Sequence, residues 1–67
     1  MTTYFSIDKK ELDFDANIKS QLRVLSQQMH DSPEKYHFFP SKQYKETFLW
    51  VLETNLIPYE LKKINFT

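Results

Sequence analysis

The chain has 67 residues, nine basic and nine acidic, for a formal net charge of zero, and it contains neither glycine nor cysteine. This length supports one small domain, and so short a chain buries only about 60% of its unfolded surface, which leaves a thin stability margin. The composition excludes disulfides, thiolate metal centres, thiol catalysis and the glycine-rich loops that cradle phosphates.

The first segment alternates. Thr3, Phe5 and Ile7 fall on one side and Tyr4 and Ser6 on the other, which predicts a strand over residues 3–7. Residues 8–14 read two ways. Leu12 and Phe14 alternate with acids, as in a strand, while Asp8 and Glu11 stand at the spacing of a helix cap and its reciprocal partner.

Phe14, Ile18, Leu22, Leu25 and Met29 then recur three or four residues apart. At about 100° per residue they share a stripe roughly 80° wide. This predicts a helix from about 15 to 30, capped by Asp13 or Asp15 and ended by Pro33. The stripe also has a coiled-coil rhythm, but it is too short for a seam, so its expected use is packing inside the domain, with a homodimer as the lesser option.

Residues 31–40 read as a connector, and Ser41 as the cap of a second helix, about 42 to 55. The core stripe of that helix is Tyr44, Phe48, Val51 and Leu52, and Pro58 stops it. In the tail, 59–66, Leu61 and Ile64 have helical spacing, whereas Ile64 and Phe66 have strand spacing. The expected fold is a mainly helical α+β domain: an antiparallel pair of helices, about 15–30 and 42–55, with a short N-terminal strand and a C-terminal strand across one side. The alternative is an all-α bundle of three or four helices.

Catalytic constellations are missing. His30 and His37, with Asp31 and Glu34 nearby, offer metal-binding groups, but they stand seven apart with Pro33 between, not at the i, i+4 spacing of a helical pair. Asp13 and Asp15 are explained as acids at a helix start, and no serine sits in a strained elbow. We therefore expect no catalytic residue, no metal and no cofactor: a chain that is not an enzyme. Lys9-Lys10, Lys42, Lys45 and Lys62-Lys63 suggest a basic patch, yet the net charge is zero and there is a single Arg, so a small helical DNA-binding regulator is the second reading, not the first.

No apolar run approaches the roughly 18 residues of a membrane helix. Phe48–Leu52 is broken by Glu53, and residues 1–7 lack the pattern of a signal peptide, so the expected place is the cytoplasm. The Met1 start leads us to expect a complete small gene product. Plentiful Phe, Tyr, Asn, Lys and Ile beside scarce Ala, Gly, Pro and Arg suggest a low-GC bacterium or its phage or mobile element.

The strongest anomaly is aromatic content, 16% of residues. On the second helix Trp50 lies roughly 200° from the centre of the apolar stripe. Either a terminal segment covers it or it faces a partner, and an exposed Trp has the chemistry of a binding hot spot. In Tyr36-His37-Phe38-Phe39-Pro40 a short connector cannot bury every ring. The candidate partner-binding residues are therefore Trp50, Tyr36, Phe38, Phe39 and Tyr59. The expected function is a non-enzymatic protein-binding module that regulates or inhibits a larger host protein. A self-assembling scaffold is the third reading.

Overall fold

A computed structural model of the chain describes residues 2–64. The alternation at the N-terminus becomes β1 (Thr2–Asp8), which runs straight into a single helical turn, α1 (Lys9–Leu12). A nine-residue helix, α2 (Ala16–Val24), leads into the hairpin of β2 (Ser26–Asp31) and β3 (Lys35–Pro40). A 3-10 turn at Lys42–Tyr44 opens α3 (Lys45–Thr54), and β4 (Glu60–Ile64) follows. The strands form one sheet in the order β2-β3-β1-β4, every neighbouring pair antiparallel. The two outer strands are thus reached by crossovers through α2 and α3, a doubled split β-α-β arrangement.

This corrects the expected architecture. The domain is built on a four-stranded sheet with helices on one face; it is neither mainly helical nor an all-α bundle. The predicted helix 15–30 stops at Val24, with Leu25 as its cap, and residues 26–31 are strand. The predicted connector 31–40 is mostly strand too. Its four aromatic-ring residues alternate: Tyr36 and Phe38 are buried, while His37 and Phe39 are half-buried on the opposite face. Aromatic side chains favour the pleated surface, and a period of two is a strand signal. Ser-Gln-Gln-Met-His-Asp has little strand propensity of its own. Its ladder to β3 holds it in place, with Met29 opposite Phe38 and His30 opposite His37. Ser32 closes the hairpin, its N–H donating to the Lys35 carbonyl at 2.9 Å.

The helix starts behave more locally. Asp15 Oδ1 accepts from the N–H groups of Asn17 (3.0 Å) and Ile18 (3.3 Å), so of the two expected acids Asp15 is the cap. Residues 9–12 take the helical option, with Asp8 in the cap position but without a side-chain cap bond. The end of α3 shows the cost of lacking glycine. Leu56 adopts φ 55°, the left-handed region. The Ile57 N–H donates to the Leu52 carbonyl (2.9 Å) and the Leu56 N–H to that of Glu53 (3.2 Å), the paired bonds of a Schellman ending. Ile57 is buried behind this turn, while Leu56 is 88% exposed. β4 meets the strand option for the tail; Phe66 lies outside the described residues.

The core lies between the sheet and α2–α3. Phe5 and Ile7 of β1 and Tyr36 and Phe38 of β3 face Leu12, Leu22, Phe48, Val51, Leu52 and Ile57. Phe48 stands with its ring 4.9 Å from that of Phe5 and 5.5 Å from that of Phe38, distances at which tilted aromatic rings attract. Two expected core residues are outside it: Phe14 is 73% and Tyr44 41% exposed. Among the described residues no helix is long and apolar enough to cross a membrane.

Candidate functional site

With the sheet covering one side of α2 and α3, their other sides form the outer surface of the helical layer. A groove of about 640 Å³ runs between them. The wall from α2 presents Asn17, Ser20, Gln21 and Val24, and the wall from α3 presents Thr47 and Trp50, with Leu25 and Val51 below. None of these side chains is charged, in a chain of which 27% is charged. Trp50 is 64% exposed and Val24 80% exposed. No terminal segment covers Trp50 among the described residues, and the helical wheel places it as the sequence suggested.

The groove has charged borders of opposite sign. At about 100° per residue Arg23 falls on the far side of α2, while Glu46 and Glu53 fall on the far side of α3. All three are exposed. An uncharged strip with an exposed Trp, bordered by charge, has the anatomy of a protein interface, in which charged residues are depleted at the centre and retained at the rim.

The other expected partner-binding residues are scattered. Tyr36 and Phe38 belong to the core, so they are withdrawn from any binding surface. The Tyr36 hydroxyl donates to Asp13 Oδ1 at 2.6 Å and accepts from Lys19 Nζ at 3.0 Å. The Lys19 ammonium sits 4.5 Å from the Tyr36 ring centre, and the hydroxyl contact holds its pKa above the ordinary lysine value. Tyr59 is 38% exposed and leans on Phe5, 5.3 Å away between ring centres, below the end of α3. Phe39 lies on the open face of the sheet, away from Trp50.

That open face has its own order. Gln28, Phe39, Tyr4 and Lys62 form one cross-strand row, and His30, His37, Ser6 and Glu60 the next. Tyr4 and Phe39 stack at 5.0 Å, and both make edge contacts to histidines: Tyr4 to His37 and Phe39 to His30, each at 5.5 Å. Ser6 Oγ and His37 Nδ1 are buried here without a hydrogen-bond partner among the described residues. Burial, with Lys62, Lys35 and His30 adding repulsion, holds the His37 imidazole below its ordinary value. At the end of the face Lys35 Nζ lies 3.0 Å from Glu60 and 3.5 Å from Asp8, and Lys62 lies 3.7 Å from Glu60. The hydrogen bond from Lys35 is the main cause that lowers the Glu60 pKa.

Among the described residues no group of three or more His, Cys, Asp or Glu side chains could hold a metal ion. Sequence reasoning missed Val24 and the open face. Val24 carried the same signal as Trp50: an apolar residue about 160° from Leu22 on its helix. The open face was legible only once residues 35–40 were read as a strand. Compared with protein-family models, with curated proteins and with solved structures, the chain matches none.

Proposed function

We propose that the protein is a non-enzymatic binding module that docks onto a larger intracellular protein through the groove between α2 and α3 and thereby regulates or inhibits it. The observation that carries this reading is Trp50, 64% exposed on the wall of an uncharged groove. A large rigid ring at the surface of so small a domain, with the exposed Val24 also lining the groove, leaves apolar area in water. Burying that ring in a partner recovers the area, and central Trp residues dominate the energetics of such interfaces. The borders of Arg23 on one side and Glu46 and Glu53 on the other orient the partner.

The test is a comparison of two folded proteins in a low-GC bacterial lysate. The wild type and Trp50→Ala are each immobilised, and what they retain is identified. Trp50→Ala costs the isolated domain about 1 kcal/mol or less, a shift of at most about 4–8 °C in Tm. It weakens a central contact by 2 kcal/mol or more, about thirtyfold in affinity. A partner retained by the wild type and by an open-face variant, but lost with Trp50→Ala, supports the reading. Identical capture by both proteins refutes it. A solution mass that rises with concentration, and falls to that of a monomer on Trp50→Ala, replaces it with self-assembly through the same groove.

A further inference from the structure

The open face of the sheet holds a second pocket, independent of the Trp50 groove. Its volume is about 360 Å³, and its lining is Thr2, Gln27, Gln28 and Phe39. That volume falls at the small end of the range for small-molecule sites. A backbone irregularity builds it. Ser26 pairs with Pro40 and Gln28 with Phe39, so Gln27 is an extra residue in a β-bulge. A bulge sets two residues against one and re-aims a side chain. Here it brings two exposed amides, those of Gln27 and Gln28, beside one aromatic ring.

The ring is held in place. Phe39 is stacked on Tyr4 with 23° between the planes, and the His30 ring stands at 86° to it with 5.5 Å between centres. The pocket therefore offers a fixed apolar wall, two primary amides and the Thr2 hydroxyl. It offers no charge: Lys35 and Lys62, the lysines of this face, are engaged by Glu60 and Asp8. A ligand that fits is planar, aromatic and edged with paired donors and acceptors. A primary amide matches one nucleobase edge with two simultaneous hydrogen bonds: its oxygen accepts from adenine N6–H while its NH2 donates to N7. Stacking on a single ring adds about 1–3 kcal/mol of attraction.

We propose that this pocket binds the adenine base of a nucleoside, stacked against Phe39 and read by the amide of Gln28, with Gln27 and Thr2 at its margins. The zero net charge favours a free nucleoside over a strand, because phosphate contacts dominate the affinity of nucleic-acid complexes.

The experiment is an NMR titration of the isotope-labelled full chain with adenosine, cytidine and a short oligo(dA). Adenosine produces saturable shifts in the side-chain amides of Gln27 and Gln28, and the Trp50 indole signal, on the far side of the molecule, stays still. Gln28→Ala removes an exposed side chain and weakens adenosine about 5- to 160-fold, the loss of one bidentate base contact; cytidine, already weak, is unchanged. Phe39→Leu, checked for folding by circular dichroism, weakens both nucleosides. The proposal is overturned if millimolar adenosine moves no signal in the pocket, or if adenosine and cytidine bind alike and Gln28→Ala changes neither. Oligo(dA) that binds far more tightly than adenosine, and loses that advantage as salt rises, overturns the assignment to a free nucleoside in favour of a single strand.

Discussion

Leu22 and Phe14 share one apolar stripe in the sequence, and the fold separates them. Leu22 is fully buried against the sheet, while Phe14, before the Asp15 cap, is 73% exposed. Truncating a buried Leu to Ala removes its transfer free energy and leaves a cavity, together about 2–5 kcal/mol. A 67-residue domain at about 0.05–0.15 kcal/mol per residue has a total stability of about 3–10 kcal/mol. Leu22→Ala therefore consumes between a fifth and all of it, which raises the unfolding constant about 30- to 5,000-fold. Phe14→Ala takes away a side chain mostly in water and changes stability by about 0.5 kcal/mol or less. Urea unfolding followed by far-UV circular dichroism measures both, and it is a better probe than fluorescence because Trp50 is exposed before unfolding begins. Equal losses in the two variants would mean that the stripe is buried as one unit, as in the long helix 15–30, and would refute the arrangement in which α2 ends at Val24.

Three further variants probe local features. Leu56→Gly relieves a left-handed residue at the end of α3 and raises stability by about 1 kcal/mol, read as a higher urea midpoint. Asp15→Ala deletes the acceptor of two helix-start N–H groups and lowers stability by about 1 kcal/mol. His37 makes the fold sensitive to acid: its folded pKa lies below the ordinary 6.5, so the unfolded chain binds the proton more readily. The stability it contributes is fully present above about pH 6.5 and is lost as pH falls through the folded value. His37→Gln flattens the decline of the urea midpoint on the acid side of pH 6.5, and an unaltered slope would refute this origin.

Local chemistry settled part of this protein before any tertiary contact was considered. The alternation of Phe5 and Ile7 with Tyr4 and Ser6 marked β1, the acids Asp13 and Asp15 marked the start of α2, and the apolar spacing of Phe48, Val51 and Leu52 marked the buried side of α3. The same helical arithmetic put Trp50 off the apolar stripe, but only the tertiary structure left it uncovered, 64% exposed. These signals are legible because each depends on residues within one or two turns of each other.

The tertiary structure decided the rest. Met29, within residues 26–31, stands at helical spacing from Leu25, and only the antiparallel partner β3 makes this segment a strand. Backbone N–H and C=O groups must be paired somewhere, and β3 offers a ladder along the edge that β1 does not occupy, while continuing α2 would leave that edge of the aromatic strand unpaired. The same pairing sorts the rings of residues 36–39, two into the core and two onto the open face, because a strand turns alternate side chains to opposite sides. It also creates the bulge that brings Gln27 and Gln28 beside Phe39. Neither the groove nor the pocket is a property of one segment: each joins residues far apart in the chain, and helix and strand periodicity specify faces without saying which faces meet.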